Sequence, residues 1–240
     1  MVLTAHQPVY LPWLGLFQKI QASDFFCFFD IVQYQKKDFN NRNKIKTMNG
    51  EMWLSVPVET KGYLDKKIND IKIIEDGWRR KHYKSIYFAY EKSNFFDEYI
   101  GDIEKIIFNG KQEFLTDLNF DILIFLLRSL NITTPIVKAS DYNFSGHKSD
   151  LVLDMCTTLN ADSYIFGEQG RNYADINSFS QKNIKVLFQD YQHPEYAQLY
   201  GEFSPYMSVI DLIFNLGPDS LDVLTNNQSP DMIHEYNDNN

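Results

Sequence analysis

Alternating apolar and polar stretches along the chain predict strands and helices that follow each other closely. Residues 1–5 are mostly apolar and predict a short, buried first strand. The spacing of Leu14, Phe17 and Ile20 predicts a helix with one buried side. A second apolar run, 25–29, predicts a strand that is buried on both faces. Strand, loop, helix and strand in this order predict the start of a βαβ unit.

The same pattern continues downstream, with a block of helices between two groups of strands. A polar, basic and turn-rich stretch comes first, at 36–50. Further strands are predicted at 51–59, 68–74, 134–142, 161–173 and, as the final strand, 185–192. Two helices are predicted within 77–108, and others at 113–130, 145–160, 178–184 and near the end of 193–217.

Together these elements predict an α/β fold with a Rossmann-like, mostly parallel sheet, flanking helices and an inserted helical lobe. The predicted parts are an N-terminal α/β half, a helical lobe, a C-terminal α/β half and a polar tail, at 1–76, 77–132, 133–218 and 219–240. We expect them to form one structural unit.

Composition, charge and the positions of cysteine and histidine argue against several kinds of partner and site. The 240 residues carry a formal net charge of −9, which argues against nonspecific binding of nucleic acid. No uninterrupted apolar stretch reaches about 18 residues and no signal-peptide pattern is present, so we expect no membrane span. Cys27 and Cys156 lie in apolar runs and predict buried free thiols in a cytoplasmic protein. The histidines are scattered, so we expect no metal site.

The loop after the first strand is the first candidate site. His6 and Gln7 follow the strand directly, and Tyr10 and Trp13 lie in a loop stiffened by two prolines. Ligands of open α/β sheets bind at the carboxyl ends of the strands, beside helix N-termini. An imidazole there can bind phosphate or transfer a proton, so His6 and Gln7 are candidate catalytic residues.

A cluster of hydrogen-bond donors near the end of the second strand is the next candidate. Asp30 and Gln33 end that strand, and Arg42, Asn43 and Lys46 come shortly afterwards. Arg42 offers a planar fork to a phosphate or carboxylate, which predicts a site for an anionic ligand. A solvated basic loop is the alternative.

Two later stretches also carry candidate site residues. Gly167 and Gly170, with Tyr173, follow a predicted strand and allow the backbone to turn near a ligand, although an ordinary surface turn would use them equally. They match neither GxGxxG nor a P-loop.

The second stretch surrounds His193, a second candidate base, with Tyr191 and Tyr196, which can stack on a sugar or base. Aromatic packing is an equal alternative. Asp211, at the start of an apolar helix, needs a partner if buried, with Arg42, Lys19 or a backbone donor as candidates.

Seven segments of the chain together resemble the WbqC-like family, from residue 2 to about 217. They are AHQPVYLPWLGLFQKI, FDIVQY, NNRNKIK, WLSVPV, YIFGEQGRNY, FQDYQHPEYAQ and FSPYMSVIDLIFNLG. The resemblance implies motif positions, without assigned roles, at His6, Gln7, Pro8, Tyr10, Pro12, Trp13, Asp30, Gln33, Arg42, Asn43, Lys46, Gly167, Gly170, Tyr173, Tyr196 and Asp211. One departure is Ile31, where we expect a second acidic residue after Asp30.

The resemblance implies a gene-cluster context of bacterial O-antigen or other surface polysaccharides. It implies an enzyme that transfers an acyl, aminoacyl or glycyl group onto a nucleotide-linked amino sugar. We expect no permanently bound cofactor, and leave open whether the donor is acyl-CoA, ATP with an amino acid, or another compound.

Two alternatives remain open at this point. One is a noncatalytic protein that binds a nucleotide sugar or assists assembly. The other is an ATP-dependent, adenylate-forming ligase. The opening faintly resembles nucleotidyltransferases of the pantothenate synthetase kind, but their HxGH motif is absent.

Overall fold

The computed structural model describes residues 1–226 and 233–235. The strands are β1 (Val2–His6), β2 (Phe25–Phe28), β3 (Arg42–Thr47), β4 (Gly50–Ser55), β5 (Ile136–Lys138), β6 (Ser163–Phe166), β7 (Lys185–Gln189) and β8 (Ile233–Glu235). The helices are α1 (Leu14–Gln21), α2 (Trp78–Tyr90), α3 (Phe96–Ile103), α4 (Leu115–Ser129), α5 (Ser149–Thr158), α6 (Ile176–Gln181), α7 (Val209–Leu216) and α8 (Ser220–Asn226).

The main sheet has the order β5-β2-β1-β6-β7-β8. The strands β5, β2, β1, β6 and β7 are parallel, and β8 joins β7 antiparallel. Counted along the chain, the parallel strands therefore lie in the order 3-2-1-4-5, which is a Rossmann-like arrangement. The predicted fold class is confirmed. A separate antiparallel hairpin is formed by β3 and β4.

Successive side chains along β1 point to opposite faces of the sheet. Different helices cover these two faces. Leu3 and Ala5 are buried in one cluster with Cys27 and with residues of α5 and α6. The intervening Thr4 and His6 point to the opposite face, which α1 covers. Both cysteines are buried free thiols.

The helical segment α2–α4 packs in the same hydrophobic cluster as α1 and α7. Its buried residues Tyr90 and Leu126 share that cluster with Phe17 of α1, Phe28 of β2 and Phe214 of α7. The face of the sheet that carries His6 is thus backed by a thick layer of helices. In the part of the chain that the structure describes, every helix is too short or too polar to cross a membrane.

The predicted strand at 68–74 is wrong. Ile68–Asp70 forms a 3₁₀ turn, and Ile73 makes only an isolated bridge to Val58. Ile68 and Ile71 are both fully buried. Their spacing of three brings both side chains to one side of a helical turn, whereas a strand would bury every second residue.

Three further elements differ from the prediction. The basic stretch predicted to be rich in turns contains the strand β3. The helix predicted from residue 145 begins at Ser149. The strand β7 is not the final strand, because β8 pairs with it. Within the predicted polar tail, α8 buries Leu224 in the core, and residues 227–232 and 236–240 lie outside the described residues.

Candidate active site at the carboxyl edge of the sheet

The direction of the strand order reverses between β1 and β6, a position at which open α/β sheets form a ligand-binding crevice. The connection from β1 runs towards β2, whereas β6 begins the other half of the sheet, so this is the topological switch point. We call the edge formed by the carboxyl ends of the parallel strands the carboxyl edge. His6 ends β1 there, and Gly167 directly follows β6.

His6 is half-buried and held in one tautomer by its own chain. Its Nδ1 lies 2.8 Å from the carbonyl oxygen of Gln7. A carbonyl oxygen only accepts, so Nδ1 donates the proton and Nε2 of the neutral ring keeps its lone pair. Burial, followed by the charge of Lys19, lowers the pKa of His6 to about 4. At neutral pH His6 is therefore an uncharged base.

The loop that follows His6 and begins with Gln7 is held by two asparagine side chains of the basic stretch. Asn40 Nδ2 donates to the Pro8 carbonyl at 2.8 Å, and Asn43 Nδ2 donates to the Leu11 carbonyl at 2.6 Å. Leu11 has a φ of 46°, a costly conformation for leucine that these bonds help to hold. The amide of the predicted site residue Asn43 thus positions the loop.

The other predicted residues of this loop have distinct surroundings. Gln7 Nε2 donates to Asp38 at 3.2 Å. Tyr10 is fully buried, and its hydroxyl is hydrogen-bonded to His82 Nδ1 at 2.8 Å. Trp13 meets the His6 ring edge-on, with the ring centroids 5.3 Å apart. Trp13 thus makes a ring contact with the candidate base His6.

Lys19 lies at the same edge, although the sequence analysis named it only as a possible partner of Asp211 and not as a site residue. Its Nζ donates to the carbonyl of Ala5 at 3.1 Å, and its side chain is buried. Burial lowers the pKa of Lys19 to about 8. On the sequence, Lys19 looks like an ordinary basic residue at the end of a short helix, so no local signal marks it.

Residues at and after the end of β7 pack against the start of α1. The Tyr191 ring packs on Gly15 so closely that a Cβ there would lie 3.0 Å from the ring. Gln189 Nε2 donates to the Gly15 carbonyl at 2.9 Å. The predicted aromatic residue Tyr191 therefore lies beside the N-terminus of α1.

His193 resembles His6 in its hydrogen bonding. Its Nδ1 donates to the Pro194 carbonyl at 2.9 Å, and burial lowers its pKa. Among the described residues, its buried Nε2 has no hydrogen-bond partner. Rings of Tyr191 and Tyr206 approach it, at 5.8 and 4.9 Å between centroids. The structure thus provides two neutral imidazoles with free Nε2 atoms near this edge.

Asp211 is the centre of a buried polar network. It accepts hydrogen bonds from Tyr90 at 3.0 Å, Tyr196 at 2.8 Å and Gln198 at 2.8 Å. Its expected partners Arg42 and Lys19 are wrong, because the tyrosine and glutamine side chains take their place. Burial raises the pKa of Asp211 despite these bonds.

Lys46 belongs to the same network. Its ammonium donates to Gln198 at 3.0 Å and to the Glu202 carbonyl at 2.5 Å. Only 4% of the Lys46 residue is exposed. The predicted substrate residues Lys46, Tyr196 and Asp211 are thus joined to one another inside the protein.

Asp30 and Gln33 also have internal partners. Asp30 accepts from the backbone nitrogen of Ser140 at 2.9 Å and from its hydroxyl at 2.7 Å, which ties the end of β2 to the end of β5. Gln33 Nε2 donates to the Leu64 carbonyl at 2.5 Å. Asp30 therefore has a structural function without the second acidic residue expected at Ile31.

A row of aromatic rings runs outwards from His6 to Arg42. Trp13 and Phe39 are 5.3 Å apart between centroids, and Phe39 and Trp53 are 6.0 Å apart. The Arg42 guanidinium lies 4.6 Å from the Trp53 ring, and it donates to the Lys37 carbonyl. Phe39 and Trp53 remain 37% and 46% exposed, so this aromatic row faces solvent.

The two glycines after β6 differ in their surroundings. A Cβ at Gly167 would have only the Lys19 ammonium within 4 Å, at 4.0 Å. A Cβ at Gly170 would lie 2.6 Å from Phe166, a buried residue of β6. Tyr173, which is 44% exposed, packs edge-on against the same phenylalanine. Gly167 thus borders open space, and Gly170 borders the core.

Replacing Gly170 with alanine should destabilise the protein by about 1–3 kcal/mol, because the added methyl group overpacks Phe166. The matched control is Gly101→Ala in α3, where a Cβ meets nothing within 4 Å and helix propensity favours alanine. Urea unfolding measures both. An equal or higher stability of Gly170→Ala would contradict the packing argument.

Two surface hollows lie away from this edge. One, of about 390 Å³, is bordered by Arg79, whose guanidinium already binds Glu75 and Gln112. The other, of about 550 Å³, lies between the end of α4 and β5 and is mostly apolar. Neither contains a histidine, so the chemistry favours the carboxyl edge as the candidate site.

Comparison with known proteins gives the family of this chain. The sequence profile of the WbqC-like protein family matches residues 7–223, from Gln7 in the loop after β1 into α8. The chain belongs to this family. A relative described as Uncharacterized protein Rv1507c, from Mycobacterium tuberculosis (strain ATCC 25618 / H37Rv), is 33% identical over 91% of this WbqC-like chain and 95% of its own length. No solved structure matches.

Proposed function

We propose that this WbqC-like protein is a transferase that forms an amide on a nucleotide-linked amino sugar during O-antigen or other surface polysaccharide biosynthesis. The state of His6 carries the proposal. It is a neutral imidazole whose Nδ1 donates to the Gln7 carbonyl, so Nε2 is free to accept a proton at the switch point. A positioned neutral base suits an amine nucleophile, which loses a proton as it attacks.

In the proposed reaction, the sugar amine attacks the carbonyl carbon of an activated acyl donor. The new C–N bond forms, and His6 Nε2 takes the proton from the attacking nitrogen. The bond from the carbonyl carbon to the leaving group then breaks, and the leaving group accepts the proton from His6. The donor is a thioester or an acyl or aminoacyl adenylate. Gln7 is the candidate donor to the oxyanion.

The aromatic row supports a nucleotide-linked acceptor. Its outer rings, Phe39 and Trp53, are exposed and can stack on a base or sugar. Arg42, above Trp53, supplies a planar cation for the phosphates of such a ligand. Lys46, in contrast, has its ammonium committed to Gln198 and Glu202, so we leave it out of the proposed ligand set.

Mass spectrometry of reaction mixtures tests the proposed function. Purified protein is incubated with UDP- and dTDP-linked amino sugars and with either acyl-CoA or ATP plus an amino acid. We expect the nucleotide sugar to gain the mass of one acyl or aminoacyl group. AMP and pyrophosphate formed without sugar would favour the adenylate-forming ligase. Nucleotide-sugar binding without any new mass across the panel would favour the noncatalytic protein.

A further inference from the structure

A buried ammonium group without a counter-charge lies at the switch point. Lys19 is 4% exposed, and its Nζ donates a single hydrogen bond, to the Ala5 carbonyl. An ammonium group has three donors, so two find no partner among residues 1–226 and 233–235. Lys19 also forms none of the ion pairs within those residues.

The charge of Lys19 is unfavourable in this position unless something compensates it. Removing an unpaired ammonium from water costs free energy, which the lowered pKa of about 8 reflects. The group is still mostly protonated at neutral pH. A hydrogen bond from α1 to the Ala5 carbonyl of β1 could be made by an uncharged donor, so this bond does not explain a charged group. An anion that completes the site would account for the lysine.

Space for such an anion is open beside the ammonium. Gly167 has an ordinary extended backbone, with a φ of −72°, so its conformation does not require glycine. A Cβ there would lie 4.0 Å from Lys19 Nζ and would meet no other atom within 4 Å. The missing side chain therefore leaves room directly next to the unused donors.

We propose that Lys19 anchors a buried site for an anionic oxygen group of a substrate, either a phosphoryl group or a carboxylate, in the crevice between β1 and β6. His6 lies at the end of β1, the strand that contains Ala5. Its ring is uncharged, so it neither attracts nor repels that anion. The site is independent of amide formation. A noncatalytic protein that binds the same ligand would use it equally.

Thermal unfolding of the full chain at pH 7 tests the site with two probes, sodium phosphate and sodium acetate. Sodium chloride keeps the ionic strength constant. We expect a saturable rise in the unfolding midpoint with one of them, because a ligand that binds only the folded state stabilises it by mass action. A response to phosphate identifies a phosphoryl site, and a response to acetate identifies a carboxylate site.

Variants connect the response to Lys19. Lys19→Met keeps the apolar stem without the charge and should abolish the rise. Lys105→Met removes a lysine that pairs with Asp102 at the surface and should keep it. Gly167→Val leaves Lys19 in place but fills the space, so it should reduce the response at least tenfold in apparent affinity.

The unfolding midpoint measured without added anion shows whether Lys19→Met folds. This midpoint should be higher in Lys19→Met than in the wild type, because the variant lacks an unpaired buried charge. If Lys19→Met does not fold, Gly167→Val decides. An unfolding midpoint of the wild type that changes with neither anion would overturn the proposal. An unchanged rise of the midpoint in Lys19→Met or in Gly167→Val would overturn it as well.

Discussion

Replacing His6 with glutamine should lower turnover about 10²–10⁴-fold while substrate affinity changes little. The expectation follows from the free Nε2, which a glutamine amide cannot replace as a proton acceptor at neutral pH. Steady-state kinetics on the acylated product separates kcat from KM. The variant keeps a polar side chain of similar length, so the loop anchored by Asn40 and Asn43 should remain intact.

His193→Gln is the matched control for this variant. His193 has the same donation from Nδ1 to a neighbouring carbonyl and a pKa that is also lowered by burial. If His6 is the base, His193→Gln should affect kcat much less. A turnover within a few-fold of wild type in His6→Gln, with a large loss in His193→Gln, would assign the base to His193 instead.

The pH dependence gives a second test of the same assignment. Neutral imidazole is the reactive form, and His6 keeps it down to its lowered pKa of about 4. Protonation of the substrate amine affects wild type and variant alike, so the ratio of their kcat/KM values isolates His6. That ratio should stay constant from neutral pH to about pH 5 and fall below it. A fall centred near pH 6.5 would mean that the base is a solvated histidine.

Long apolar runs made much of the fold predictable. The strands β1, β2 and β6 contain runs of buried apolar residues, and the helix α4 carries the apolar stretch 122–127, so their positions follow from the local pattern. The parallel sheet follows in turn, because short strands separated by helices favour βαβ connections.

Polar segments were not predictable in the same way, because long-range contacts determine their structure. In β3, Asn43 and Lys46 are buried, yet their partners are the Leu11 carbonyl and the side chain of Gln198. Neither partner is close in sequence, so the stretch was predicted to be turn-rich, with a site for an anionic ligand, and its strand was missed. The same applies to Lys19, whose environment comes from Ala5 of β1 and from Gly167, which directly follows β6.

The position of His6 in the fold could therefore be predicted, but the contacts of the other candidate residues could not. His6 at the end of the first strand follows from the general position of ligand sites in such sheets. Whether a predicted polar residue faces the crevice or the interior depends on tertiary contacts, as Asp30 and its bonds to Ser140 illustrate.

Replacing Asp211 with alanine should destabilise the protein by about 3–5 kcal/mol, the range expected when one member of a buried charged network is removed. Three donors lose their acceptor at once, namely the hydroxyls of Tyr90 and Tyr196 and the amide of Gln198. The buried ammonium of Lys46 also loses the nearby carboxylate. Urea unfolding followed by circular dichroism measures the change.

Asp219→Ala is the control for this substitution, because Asp219 is exposed shortly after α7 and should change stability by no more than about 0.5 kcal/mol. Asp211→Asn is the informative intermediate. It keeps one oxygen that can accept from Tyr196 and Gln198, so it should cost far less than alanine. A loss in Asp211→Ala as small as that in Asp219→Ala would show that the network does not contribute to stability.

The asparagine variant also fixes the sign of a pH effect. Burial raises the pKa of Asp211 above its ordinary value of 3.8, so the folded protein binds a proton there more tightly than the unfolded chain does. The stability contributed by the protonated carboxyl is complete below pH 3.8 and is lost as the pH rises through the raised pKa. Asparagine cannot ionise. The stability of wild type relative to Asp211→Asn should therefore decrease as the pH increases from about 4.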